Sequence, residues 1–336
     1  MNKKRVLAML LAGAMALSMT ACGGGNSAST DDSSKDGGAS ASGGSYKVSV
    51  ILKTLAAEYW QYVKSGAEDY ASEHSDKVTV EVKGPSSETA FDEMQNMIET
   101  DLSSGSYDGV IISPLQSDTA AQLVSGTKLP IVAIDTNFEA PEVKSFVGTG
   151  NEAAAKKGGE AAVEAAGWTD IKCIEIAGVQ GDQTNTARMN GYKAGVEEAG
   201  GTFLSDEVQY ADATADRATT AMEAIMQTHP EGIAIICANN DDMAMAAARA
   251  AQGHDAYKNT IFLGFNGDRA ACEAILAGQM TMSVAQMAYE MGYKAVETMV
   301  QVLDGETVDE FVDSGSDVVT PDNAQERLDT LKTQLH

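Results

Sequence analysis

Positive charge is in short supply in this sequence. Its 336 residues carry 23 Lys and Arg against 49 Asp and Glu, a formal net charge of −26. Without a basic excess nothing neutralises a phosphate backbone, which excludes nucleic acid as a partner. The same deficit excludes electrostatic docking on an anionic membrane. Histidine is scarce too: His74, His229, His254 and His336 are scattered and suggest no His-based site. No G-x-x-x-x-G-K-[ST], H-E-x-x-H or G-x-S-x-G occurs, and Gly148-Thr149-Gly150-Asn151 is too short for a dinucleotide fingerprint. These absences argue against an enzyme and point to no cofactor or metal. Cysteine is limited to Cys22, Cys173, Cys237 and Cys272, none at metal-ligand spacing. The last three sit in apolar or helical stretches and read as buried thiols acting as small hydrophobes.

What is present begins with a leader. Met1-Asn2-Lys3-Lys4-Arg5 is a positive start, and the 14 residues from Val6 to Met19 are apolar and uncharged. That run is short for a bilayer core of about 30 Å, so it reads as a secretory signal. Met19-Thr20-Ala21-Cys22 resembles a bacterial lipobox with Met19 where Leu is usual. The resemblance implies a lipoprotein signal peptide at 1–21, cleavage before Cys22, and a diacylglycerol on the Cys22 sulfur. The mature chain would then hold 20 basic against 49 acidic residues, a net of −29. Residues 22–45 are Gly-, Ser- and Asp-rich with almost nothing to bury, the composition of a flexible lipid-anchored tether. Together these place the body on the outer face of the cytoplasmic membrane, in the manner of a Gram-positive-type lipoprotein.

From Tyr46 onward, 43% hydrophobic content, 32 glycines and only 6% aromatics suit an α/β chain with many tight turns. Strand-type runs at 47–52, 78–82, 109–112 and 130–134 alternate with helical patterns at 58–73, 88–102 and 118–125. The plan then repeats. Strands at 171–176, 202–208, 232–237, 260–264 and 280–284 alternate with helices at 151–166, 186–199, 215–228, 241–252 and 268–277. A further helix at 288–303 follows. Such alternation predicts two doubly wound parallel-sheet domains covered on both faces. Ligands in such folds sit beyond the C-terminal strand ends. Those ends deliver Lys53-Thr54, Ser113-Pro114, Asp135-Thr136-Asn137, Gly178, Asn239-Asn240-Asp241, Phe265-Asn266-Gly267 and Gln286. Asn, Asp and Gln offer planar donors and acceptors suited to paired hydroxyls, but Asn and Asp also cap helices.

Several motifs occur in a telling order. Tyr59-Trp60 precedes Lys64-Ser65-Gly66-Ala67; Asp118-Thr119 follows Ser113-Pro114; then come Ala187-Arg188-Met189-Asn190-Gly191 and His229-Pro230. Asn240-Asp241-Asp242-Met243-Ala244, Gly264-Phe265-Asn266-Gly267 and Ala285-Gln286 complete the series. In combination the chain resembles the sugar-binding lipoproteins of the type I periplasmic-binding-protein family, nearest the ribose-binding branch, over about residues 46–320. The resemblance implies a three-segment hinge near Thr149, Gln286 and Gly315, with the ligand in the interdomain cleft. It assigns 46–148 plus 287–315 to an N-terminal domain and 149–286 plus 316–336 to a C-terminal one.

The resemblance also implies roles. Tyr59 and Trp60 would stack on the sugar, since an aromatic face suits a sugar's C–H face. Asp135, Arg188, Asn240 and Asn266 would hydrogen-bond hydroxyls, Gln286 would do so from the hinge, and Asp182 is a further polar candidate. Three departures set the pocket apart. Thr136 stands where the ribose branch has Arg, Asn266 where it has Asp, and Ala213 where it has an aromatic, so that either Tyr210 nearby substitutes or the pocket is open on that side. The expected function is capture of a neutral sugar or polyol by a monomer that delivers it to an ABC permease complex in the membrane. The rival reading is a ligand sensor for a chemoreceptor or histidine kinase, or a binder of a non-sugar polyol or furanosyl signal.

Overall fold

The computed structural model describes residues 45–335. The expected signal peptide, Cys22 and the tether up to residue 44 lie outside the described residues. Two sheets organise the body. The first is wholly parallel and contains β1 (Tyr46–Ile51), β2 (Val78–Lys83), β3 (Gly109–Ile112), β4 (Ile131–Ile134), β5 (Val143–Gly148) and the late strand β12 (Phe311–Asp313). Its order is β12-β5-β4-β3-β1-β2. The second contains β6 (Lys172–Ala177), β7 (Thr202–Phe203), β8 (Gln209–Tyr210), β9 (Ile235–Ala238), β10 (Ile261–Asn266), β11 (Met282–Gln286) and β13 (Ser316–Val319). There the order is β13-β11-β10-β9-β6-β7, with β8 also pairing β6. Only β13 runs antiparallel to its neighbour, β11.

Strands such as Gly109–Ile112, Ile131–Ile134 and Ile235–Ala238 are buried along their whole length, as a sheet covered on both faces requires. In the first lobe, α1 (Glu58–Glu73) and α9 (Ala288–Leu303) cover one face, while α2 (Phe91–Ser104) and α3 (Ser117–Val124) cover the other. In the second, α4 (Asn151–Ala165) and α5 (Gln183–Glu198) lie on one side. On the opposite side are α6 (Ala215–Thr228), α7 (Asp241–Ala250) and α8 (Arg269–Leu276), and α10 (Ala324–Gln334) packs on α8. The α1–α9 crossing is unusually close. A Cβ on Gly66 would meet the Tyr289 carbonyl oxygen at 1.9 Å, and one on Gly292 the Val63 carbonyl oxygen at 1.9 Å.

Among the described residues the chain passes between sheets three times: between β5 and β6, between β11 and β12, and between β12 and β13. Some elements depart from the pattern expected of the sequence. The run expected as a strand at 202–208 holds only β7 and then a 3-10 turn at Ser205–Glu207, because Asp206 and Glu207 interrupt the apolar pattern, and β8 begins beyond it at Gln209. Helix α5 starts at Gln183 rather than 186, since Asp182 caps it by accepting from the Asn185 N–H at 2.7 Å. Arg188 therefore lies in the second turn rather than at the opening. Strands β5, β12 and β13 are short or interrupted by exposed residues such as Lys144, Phe311 and Asp317 and gave no strand signal.

Candidate functional site

The polar residues gather beyond the C-terminal ends of both sheets. From the first lobe come Lys53 after β1, Tyr59 and Trp60 in the first turn of α1, and Asp135-Thr136 after β4. Asp135 sits in the left-handed region at φ 63°, uncommon for a residue other than glycine. Its Oδ1 accepts from the Tyr59 hydroxyl at 2.8 Å and its Oδ2 from the buried Thr136 hydroxyl at 2.8 Å. The Lys53 ammonium stands 3.8 Å from Oδ2. This carboxylate is thus oriented before any ligand reaches it.

From the second lobe come Asn266 at the end of β10 and Gln286 at the end of β11. Gln286 Nε2 donates to Asn266 Oδ1 at 2.9 Å, and Gln286 Oε1 lies 3.4 Å from the Tyr59 hydroxyl. A polar chain therefore runs from Asp135 through Tyr59 and Gln286 to Asn266, spanning the two lobes. Asn266 has φ 137°, a region non-glycine residues rarely occupy, so the backbone is strained at this point of the site.

Arg188 forms the floor. Its side chain is 93% buried, and its guanidinium stacks on Phe265 with 3.8 Å to the ring centroid. Nε donates to Asn151 Oδ1 at 2.8 Å, and Nη1 to the Asn239 carbonyl at 2.8 Å and its Oδ1 at 3.4 Å. Asn239 is held in turn by donating to Asn185 Oδ1 at 2.7 Å. Among the described residues, Nη2 of Arg188 donates to no protein group. Burial lowers the Arg188 pKa, while the negative charge of Asp135, acting across the cleft, opposes that. Burial and the adjacent Asp135 together hold the Tyr59 phenol well above its usual value, so at neutral pH it is a donor. The site thus offers acceptors at Asp135 and Asn266 and donors at Arg188, Lys53 and Gln286.

The expected residues separate into groups. Tyr59, Asp135, Thr136, Arg188, Asn266 and Gln286 come together. Trp60 is only 3% exposed, edge-on to Tyr59 at 5.0 Å, with its Nε1–H donating to Glu88 Oε1 at 2.8 Å. Asn240 and Asp182 act as helix caps. Asn240 Oδ1 accepts from the Met243 N–H at 2.9 Å, and its amide donates to the Ala213 carbonyl at 3.2 Å. Tyr210 is 41% exposed on β8. Four residues escaped the earlier assignment. Lys53 and Asn239 stood among the strand ends, Asn151 opens α4, and nothing in its surroundings marks Glu88. Among the described residues, no cluster of three or more His, Cys, Asp or Glu is placed to hold a metal ion.

Residues 48–307 match the periplasmic binding protein domain family. The D-allose-binding periplasmic protein of Escherichia coli (strain K12) is 29% identical over 262 residues, covering 75% of this chain and 83% of that protein. The ribose import binding protein of Bacillus subtilis (strain 168) is 27% identical over 276 residues, covering 80% and 85%. Among solved structures, a periplasmic ribose ABC transporter protein from Conexibacter woesei superposes with a TM-score of 0.76. It is 19% identical and covers 89% of this chain and all of that one, a likeness of fold.

Proposed function

The chain belongs to the periplasmic binding protein domain family, and from that premise we propose that it is an extracytoplasmic sugar receptor serving an ABC importer. The reading is carried by one observation: polar groups from both lobes converge on a single cleft, where the buried Arg188 keeps one donor nitrogen unspent among the described residues. A monosaccharide offers a ring of hydroxyls that can donate to Asp135 and Asn266 and accept from Arg188, Lys53 and Gln286. The sugar-binding relatives of similar sequence support the same ligand class. Tyr59 would take the apolar face of the ring with the buried Trp60 packed edge-on behind it, and Asp182 and Asn240 would contribute at the rim while capping their helices.

Closure follows from this geometry. A ligand shifts an open–closed balance only by binding the closed state better, and a sugar touching both lobes does so. The three crossings between sheets would be the hinge, with residues 46–148 plus 287–315 and 149–286 plus 316–336 as the moving bodies. The receptor would act as a monomer without catalysis, tethered through a lipid on Cys22 and passing its cargo to a membrane permease. A thermal-shift screen against aldoses, ketoses, polyols and short oligosaccharides tests the proposal. A ligand that binds only the folded state raises Tm by mass action. One or two sugars should do so strongly, and a flat response across the panel would reject the reading.

A further inference from the structure

Arg327 belongs to none of the motifs above and lies beyond residues 48–307, the span that matches the family. It stands in the first turn of α10, and its half-buried side chain reaches back beneath the site. Nε donates to the Gly267 carbonyl at 3.2 Å and Nη2 to the Gln286 carbonyl at 2.8 Å, while Nη1 lies 3.2 Å from Met287 Sδ. Its partners are thus two backbone carbonyls and a thioether, not a carboxylate. The guanidinium is partly withdrawn from water, with Asp241 and Asp317 acting on it at longer range, and charge-assisted bonds to these carbonyls help hold it there.

The two carbonyls are informative by position. One belongs to Gln286 itself, and the other to the residue after Asn266. These are the residues whose amides are joined in the site at 2.9 Å. The Asn266-Gly267 segment also needs holding, with φ 137° at Asn266 and 63° at Gly267. Buried Asp241 grips it from one side, accepting from the Gly267 N–H at 2.7 Å, and Arg327 grips the same residue's carbonyl from the other. Strained backbone persists only where its surroundings over-determine it.

We propose that Arg327 is a positioning residue for the site: its fork fixes the ends of β10 and β11, so that Asn266 and Gln286 present their amides to the sugar in one arrangement. The inference rests on the receptor reading for its purpose, and Arg327 itself touches no ligand. A residue that merely pinned α10 to its lobe would influence stability alone.

The test is a double-mutant cycle, read by calorimetric titration with D-allose and D-ribose, alongside amide hydrogen exchange without ligand. Arg327→Met keeps the apolar stem and removes the fork, and Arg327→Lys keeps charge with a single donor point. Arg327→Met should weaken sugar binding about tenfold in the wild-type background. It should have a reduced effect on Gln286→Ala, which removes one of the two amides it positions, and a loss nearer the wild-type one on Asp135→Ala, which joins that network only through Tyr59. Exchange should quicken in the peptides covering 264–268 and 284–288, with Arg327→Lys intermediate. Should Arg327→Met unfold, Arg327→Lys is read through the same cycle. Equal losses in every background, or unchanged exchange at both strand ends, would overturn the proposal. If neither sugar binds the wild type, the receptor reading is what fails for these probes. Exchange then decides the clamp: quickening confined to the two strand ends supports it, and no change overturns it.

Discussion

Glu175 provides the sharpest quantitative prediction, because its burial is complete and its carboxylate is unserved. It lies in β6 on the same lobe as Arg188, and neither of its oxygens has a hydrogen-bond partner among the described residues. Burial pushes its carboxyl from 4.5 up to about 8, with the charge of Arg188 pulling the other way. An acid raised on folding keeps a proton that the unfolded chain has already released. Its contribution is therefore fully present below the unfolded value near 4.5 and is lost as pH rises toward 8. Over that span of about 3.5 pH units, at ~1.4 kcal/mol each, the wild type should lose roughly 5 kcal/mol of stability through this one group. Glu175→Gln preserves the shape and removes the titration. Urea unfolding of both proteins at several values between pH 4.5 and 8 isolates the effect, since other titrating groups cancel in the difference. The variant should gain on the wild type steadily as pH rises, at unchanged m-value. Parallel stability profiles would refute the reasoning.

Other expectations concern the cleft and the helix crossing. Asp135→Ala leaves the Tyr59 and Thr136 hydroxyls without their acceptor and puts Ala in a left-handed conformation. Titration should show sugar affinity reduced at least tenfold, or about 1.4 kcal/mol. Trp60→Ala removes a 97% buried ring and its bond to Glu88, so it should lower stability by about 3–5 kcal/mol in urea and weaken the sugar as well. Gly292→Ala forces a Cβ to within 1.9 Å of the Val63 carbonyl oxygen and should cost about 1–3 kcal/mol or more. Gly167→Ala, where an added Cβ meets nothing within 4 Å, should be neutral or slightly stabilising in the same assay.

Much of this architecture was legible because a parallel sheet covered on both faces needs uninterrupted apolar strands. Gly109–Ile112 and Ile235–Ala238 are that signal undiluted, and the residues just beyond such strands are where the rule for ligand sites points. The site was less legible where one residue type serves two purposes. Asn240 and Asp182 sit at junctions where both a cap and a ligand contact favour Asn or Asp, and the structure shows each capping. Lys53 stood at a strand end, but its proximity to Asp135 depends on β1 and β4 ending at the same level of one sheet. Arg327 was beyond reach, since its partners are backbone carbonyls 41 and 60 residues away along the chain. Short strands such as Phe311–Asp313 gave no signal because two of its three residues are exposed and the third only half-buried.

The central claim is that a sugar is held between the lobes by groups from both. A crystal structure grown with the sugar that most raises Tm tests it directly. The account predicts one molecule beside Tyr59 and Trp60, hydrogen-bonded to Asp135 from one lobe and to Arg188, Asn266 and Gln286 from the other. Density for that sugar away from the cleft, or touching residues of one lobe alone, would contradict it.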